Sequence, residues 1–279
     1  MWWLTAIGLV LSLGVIAGFL IMLESSISTL EQKCEQRGVP AELKQILDTA
    51  RITNRRVGRD AGSLEARLRH HVIRDVSALL TLHDLYPTPG EHVPLTSWSA
   101  FPATALMLAK HVRELPPNSL VLELGSGATT LWMALASQRR GGDVRIVSLE
   151  ASADFAEVTR TAVRRNDVED LVEVRVGNLE SVTTERGEQE WYAKETWQSL
   201  TDVALLFVDG PPGSTGPHAR YPAVEMLASR LARGAIVVLD DIDRDDEQGA
   251  LQHWLAIERE GNHAVVIEQR ENAVALRLP

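Results

Sequence analysis

One cysteine, Cys34, stands among 279 residues, so no disulfide can form within the chain and a disulfide-stapled scaffold is excluded. Basic residues are in deficit: 28 Lys and Arg face 38 Asp and Glu, a formal net charge of −10. Binding along a phosphate backbone needs clustered cations, so the balance argues against nucleic acid as a partner. The eight histidines show no zinc-ligand spacing with the lone cysteine. His70-His71, on a polar stretch, reads as a solvated face. Internal repeats and low-complexity tracts are missing too.

What is present begins at the N-terminus. Trp2–Leu23 carries no charged side chain, and ~20 apolar residues suffice for a helix to cross a bilayer. Trp2 and Trp3 suit one membrane interface. A basic leader and a small-residue cleavage site are lacking, which favours an uncleaved single-pass anchor over 1–23 rather than a signal peptide. Residues 24–86 read as a helical linker. Val57, Ala61, Leu64 and Leu68 follow the four-three-four rhythm of a coiled-coil seam, with Asn54 on the same seam. Gly58 and Gly62 weaken that helix by ~1 kcal/mol each relative to Ala. A homodimer through residues 43–80 is one reading; a helix packing on its own domain is the other. Cys34 fits a plain seam position. Arginines at 51, 55, 56, 59, 67, 69 and 74 are either an exposed face or an attraction to anionic headgroups that holds the segment on the cytoplasmic side. Tyr86-Pro87-Thr88-Pro89-Gly90 marks a boundary, and a domain is expected over 87–279.

From about residue 98 strand-like and helix-like segments alternate. Strands are expected at 120–124, 144–149, 172–176, 204–208 and 235–239, with helices near 128–137, 153–165, 221–231 and 246–259. Two closing runs, 264–267 and 273–278, form an antiparallel hairpin at the edge. The fold class is α/β: a doubly wound, seven-stranded parallel sheet ending in that hairpin.

Polar groups collect at the strand ends. The first strand runs into Glu123-Leu124-Gly125-Ser126-Gly127, where the two glycines allow a tight turn and close approach to a ligand, and a helix N-terminus follows. Glu150 ends the second strand and Gly177-Asn178 the third. Asp209 opens Asp209-Gly210-Pro211-Pro212, and Asp240-Asp241 ends the fifth. Singly, each has a bland reading: a turn, a dipole-favoured charge, or a helix cap. As a set they mark one ligand site, because open α/β sheets bind ligands at the carboxyl ends of their strands.

With those residues the sequence resembles the class I S-adenosylmethionine-dependent methyltransferases, from about residue 96 to the end. The pattern is Glu-Leu-Gly-Ser-Gly, then Ser-Leu-Glu, then Val-Asp-Gly-Pro-Pro, then Leu-Asp-Asp. Thr96-Ser97-Trp98-Ser99-Ala100-Phe101-Pro102 and Glu190-Trp191-Tyr192 also look like that group. The resemblance implies S-adenosylmethionine as cofactor, with Gly125, Ser126 and Gly127 under its methionine part and Glu123 near its amino group. Glu150 would hold the ribose, Asn178 would lie near the adenine, and Asp209 would face the methyl group and the substrate. The acceptor is expected to be a hydroxyl of a small-molecule or glycan-type substrate. Proton removal falls either to a Mg²⁺ ion on Asp209, Asp240 and Asp241, or to Asp209, Asp241 or His218 as general base. Arg220 or Arg244 is either a clamp for an anionic substrate or a structural ion pair. Aminopropyl transfer on the same fold, or a membrane scaffold without catalysis, are the alternatives. A cofactor made in the cytoplasm implies a cytoplasmic catalytic domain.

Overall fold

The structure, a computed structural model, describes Ile21, Ser25, Ser28 and residues 73–87, 99–270 and 272–279. The chain divides into two compact units, Met1–Arg74 and Asp75–Pro279. The expected span at 1–23 and the expected seam at 43–80 lie outside the described residues, apart from Ile21 and 73–80. Among the described residues no helix is long and apolar enough to cross a membrane.

The second unit opens with a helical segment at 75–85. It begins ahead of the boundary expected at Pro87, because Ala78, Leu82 and Tyr86 are already buried, Leu82 and Tyr86 in the core under the sheet. Then come α1 (Pro102–Glu114), β1 (Leu120–Leu124), α2 (Ala128–Arg140), β2 (Arg145–Glu150), α3 (Ala153–Arg165) and β3 (Val172–Val176). A hairpin follows, β4 (Leu179–Thr184) and β5 (Gly187–Tyr192), then β6 (Val203–Val208), α4 (Pro222–Leu227), β7 (Leu231–Asp240) and α5 (Asp245–Leu255). The chain closes with β8 (Glu258–Arg259), β9 (Asn262–His263), β10 (Val265–Gln269) and β11 (Ala273–Arg277).

Seven strands form one sheet in the order β10-β11-β7-β6-β1-β2-β3. Its strands pair in parallel except at β11, which is antiparallel to both β7 and β10. The expected seven-stranded sheet and edge hairpin are both present. Alternation along the strands sorts the side chains onto two faces. Val121, Leu205, Phe207, Ile236 and Val238 meet α1, α2 and α3 on one face. Leu122, Leu124, Leu206, Val208, Val237 and Leu239 meet Val224, Leu227, Trp254 and the aromatic rings of Trp191, Tyr192 and Trp197 on the other. Strands buried on both sides read as continuous apolar runs, and that is why their positions follow so closely from the sequence.

Two expectations are corrected, and one element is new. The helix expected at 221–231 stops at Leu227, since Leu231 already pairs with Val203 and the strand continues past a register shift and Gly234, whose φ is 72°. The helix expected at 246–259 stops at Leu255: Glu260 and Gly261 take φ of 53° and 79°, which turns Arg259 back onto Asn262 in a tight hairpin. The β4–β5 hairpin, hydrogen-bonded to no strand of the main sheet, was not anticipated.

Candidate functional site

Strand order reverses at β1, whose neighbours are β2 and β6, so the turn after β1 sits where an open sheet leaves a crevice. That turn is Gly125-Ser126-Gly127. The Gly125 amide donates to the Leu149 carbonyl at 2.9 Å, and the Asp209 amide donates to the Leu124 carbonyl at 3.1 Å, so the ends of β2 and β6 hold it from both sides. Gly125 has a φ of 94°, a left-handed conformation that favours glycine. A side chain on Gly127 would meet nothing within 4 Å, so that position faces open space. Gly210, opposite, is tightly enclosed: a Cβ there would stand 2.3 Å from the Tyr192 hydroxyl.

Glu123 takes a different station from the one expected. It is fully buried beneath the turn, on the α2 side of the sheet. Its two oxygens accept hydrogen bonds from the hydroxyls of Thr129 at 2.6 Å and Thr130 at 2.5 Å. The Thr130 hydroxyl in turn accepts from the Gly127 amide at 2.9 Å. Glu123 therefore fixes the glycine turn from below through Thr130, and both of its oxygens already have partners. Burial pushes its carboxyl up to about 7, against hydroxyl bonds that favour the anion.

Glu150 stands half-buried at the end of β2. Its Oε2 accepts from both the amide and the hydroxyl of Ser126, at 2.9 and 3.0 Å, and its Oε1 accepts from the Ser152 amide at 2.9 Å. The Ser126 hydroxyl has a second partner in Thr159, 3.2 Å away, so it can turn from Glu150 without losing every bond. Asn178 is exposed beside this corner, because the Gly177 amide donates to the Glu150 carbonyl at 3.1 Å. Glu150, Asn178, Gly125, Ser126, Gly127 and Asp209 are thus gathered along one rim.

Across the turn lies a knot of charge. Carboxylate oxygens of Asp209, Asp240 and Asp241 lie within 4.8 Å of one another. Arg220, 5% exposed, reaches into them. Its Nη2 lies 3.0 Å from Asp209 Oδ1 and 2.8 Å from Asp241 Oδ2, and its Nη1 donates to the Asp240 carbonyl at 3.1 Å. Its Nε faces Glu247 at 3.6 Å, an ionic contact rather than a hydrogen bond. Arg244 adds a second cation 3.0 Å from Asp241, and the Thr104 hydroxyl from α1 donates to Asp240 at 3.3 Å. Burial, and then the charge of Asp240, push the Asp209 carboxyl well above its ordinary range; burial and Asp241 push Asp240 up to about 7. Burial alone would lower Arg220, but the surrounding carboxylates outweigh it and push its proton affinity up.

His218 falls elsewhere. Its ring Nδ1 lies 3.0 Å from Asp246 and 3.3 Å from Arg186, and its amide donates to Asp246 at 3.0 Å. Its polar partners among the described residues are thus not the Arg220 cluster, and Asp241 is held by two arginines. Of the three expected bases, Asp209 is the one that borders both the glycine turn and the charged cluster. The sequence left Arg220 as either clamp or ion pair, and the structure makes it the hub of the ion pairs.

With this geometry in place, kinship can be read. Residues 122–242 match a methyltransferase domain. The match runs from β1 to the start of the loop after β7, so it contains the glycine turn, Glu150, Asn178, Asp209, Arg220 and Asp240-Asp241. Over 128 residues the chain is 32% identical to a catechol O-methyltransferase of Mycobacterium tuberculosis, which covers 44% of this chain and 48% of that protein. The chain therefore spans about half the length of the curated relative it matches. Among solved structures, an SAH-bound methyltransferase of Podospora anserina superposes with a TM-score of 0.51 at 15% identity, over 74% of this chain and 87% of that one. An O-methyltransferase of Bacillus cereus in complex with SAH gives 0.48 at 19% identity, over 77% and 91%. At 15% identity the Podospora anserina structure bears on the fold alone.

A divalent cation fits this matched domain poorly. A Mg²⁺ ion wants carboxylate oxygens at ~2.1 Å. Asp209 Oδ1 and Asp241 Oδ2 already serve Arg220, so an ion on either oxygen would sit beside the guanidinium. At ~5 Å and an effective dielectric of ~20, the repulsion between a dication and a guanidinium is ~7 kcal/mol. The β4–β5 hairpin borders Gly210 at its root. Trp191 and Tyr192 are buried at its root, the Tyr192 hydroxyl against Gly210. At its tip Arg186 lies 4.6 Å over the Tyr221 ring and donates to the Gly249 carbonyl of α5 at 3.3 Å.

Proposed function

We propose that this chain transfers a methyl group from S-adenosylmethionine to a hydroxyl of a small-molecule acceptor. The observation that carries the reading is the open glycine turn at the switch point of the sheet, flanked along the same rim by Glu150 and Asn178 on one side and by Asp209 on the other. The methyltransferase-domain match over 122–242 supports it. When bound, S-adenosylmethionine supplies an electrophilic methyl carbon on a sulfonium centre.

The protein's part is alignment and proton handling. Gly125 and Gly127 admit a ligand close to the backbone, and Thr130, backed by Glu123, keeps the turn from relaxing. Glu150 accepts hydrogen bonds from vicinal hydroxyls as the Ser126 hydroxyl turns to Thr159. Asn178 offers an amide to a base edge. Asp209, its carboxyl raised by burial and by Asp240, receives the proton that the acceptor hydroxyl sheds as oxygen bonds to carbon and the carbon–sulfur bond breaks. Arg220 keeps that carboxylate aimed.

The finer reading adds a location. An apolar N-terminal segment at 1–23 tethers the enzyme to a membrane with its catalytic unit in the cytoplasm, residues 43–80 pair two copies, and the acceptor is a membrane-associated or glycan-type alcohol. A reporter fused after Pro279 that works only outside the cytoplasm would overturn the orientation. The main test is calorimetry of the purified chain with S-adenosylmethionine and with S-adenosylhomocysteine, followed by mass spectrometry of candidate alcohols for a methyl gain. Binding of both nucleosides is expected. Binding of neither would replace the enzyme with a scaffold.

A further inference from the structure

We infer that Arg220 is the built-in cation of the carboxylate cluster at Asp209, Asp240 and Asp241, occupying the station a divalent metal would take, so that the site works without one. The donor set itself is metal-like: three carboxylates with oxygens within 4.8 Å of one another, on the ends of two adjacent strands. A guanidinium bridges two of these carboxylates, and it holds the third residue by its backbone. It touches Asp209 at 3.0 Å, Asp241 at 2.8 Å and the Asp240 carbonyl at 3.1 Å.

Nothing in the packing lets Arg220 leave. It is 5% exposed, and the next residues, Tyr221 and Pro222, are themselves buried against the sheet. Arg244, half exposed, binds the same Asp241 oxygen, Oδ2, at 3.0 Å, so the cluster has a second cation on its solvent side. A planar fork with five donors matches carboxylates in fixed directions, which a spherical ion does not. Arg220 is thereby a positioning residue: it sets the direction of the Asp209 carboxylate while supplying the charge that permits three acids to crowd together. Removing it leaves buried, uncompensated carboxylates, the condition under which a dication binds.

The test is a titration with Mn²⁺ alone, followed by electron paramagnetic resonance, on the full-length chain. No cofactor is needed, so the outcome is independent of whether the protein methylates anything. The wild type is expected to show no saturable site. Arg220→Gln is expected to gain one Mn²⁺ site, at least ~10-fold tighter than any residual binding in the wild type, because the removed charge is replaced. Arg220→Lys, which keeps the charge, is expected to gain none. Two results overturn the inference: a saturable Mn²⁺ site in the wild type that Asp209→Asn removes, or a folded Arg220→Gln protein that gains no site. Should Arg220→Gln fail to fold, the wild-type titration with its Asp209→Asn control decides alone.

Discussion

Replacing Glu123 by Gln should change how stability depends on pH, in a direction opposite to most buried-acid losses. Glu123 is fully enclosed, and folding raises its proton affinity from the ordinary 4.5 to about 7. That difference corresponds to ~3 kcal/mol at ~1.36 kcal/mol per tenfold change. The sign follows from proton counting: between pH 4.5 and 7 the folded form holds more protons at this site than the unfolded one. The contribution is therefore fully present below pH 4.5 and is lost as pH rises through 7. Glutamine has no proton to lose, so its curve lacks this component. Asp209 and Asp240 are raised as well; they are common to both proteins and cancel in the difference, apart from the small part of the Asp209 rise that the Glu123 charge itself causes. Urea unfolding of the full-length chain, followed by tryptophan fluorescence from pH 5 to 8, should show the variant gaining ~3 kcal/mol on the wild type across that range. At slopes of ~2–3 kcal/mol per molar, the gap in midpoints moves by ~1–2 M. At pH 5 the variant should be the weaker, since one threonine hydroxyl meets an amide NH₂ in place of an acceptor. Curves that stay parallel within ~0.5 kcal/mol would refute the assignment of Glu123 as a buried, late-ionising group.

Thr130→Val removes the acceptor for the Gly127 amide along with a donor to Glu123. Affinity for S-adenosylhomocysteine should fall by ~5- to 150-fold, the equivalent of 1–3 kcal/mol, while Thr130→Ser stays near wild type in the same calorimetric titration. Gly210→Ala should cost ~1–3 kcal/mol of stability, because its methyl group would overlap the buried Tyr192 hydroxyl; adding Tyr192→Phe should recover part of the loss in denaturant melts, and no recovery would remove that clash as the cause. Asp209→Asn keeps an oxygen for Arg220 but loses the proton acceptor. Turnover should drop by ~10² or more with nucleoside binding intact, and near-normal turnover would take Asp209 out of the proton path.

Much of this site could be read from the sequence, and the rest fails for identifiable reasons. Strands β1, β2, β6 and β7 are apolar on both faces, so their ends, and hence Glu150, Asp209 and Asp240-Asp241, could be located to within a residue or so. What an apolar run does not reveal is the direction of a single polar side chain within it. Glu123 looks like a ligand contact because it stands near a strand end. Alternation with Leu122 and Leu124 puts it under α2, however, and the paired Thr129-Thr130 at the start of that helix were the available sign that it had internal partners. Arg220 lies in a loop, where no periodicity specifies which carboxylates it will meet. The β4–β5 hairpin escaped notice because its two-residue loop, Glu185-Arg186, lacks the Asn-Gly or Asp-Gly signal of such turns. Its strands are also too polar to resemble those of the central sheet.

That hairpin separates two properties which many enzymes must tune together. It is rooted by Trp191 and Tyr192 and held further out by side chains, Val182 against the core, Arg186 on Tyr221 and Gly249, and Glu185 3.9 Å from His253, and it shares no backbone ladder with the main sheet. Exposed positions on it, such as Ser181, Thr183 and Glu188, can therefore change without breaking a bond of the seven-stranded sheet. The outline this hairpin gives the surface is thereby free to vary while the packed strands that carry the glycine turn keep their stability.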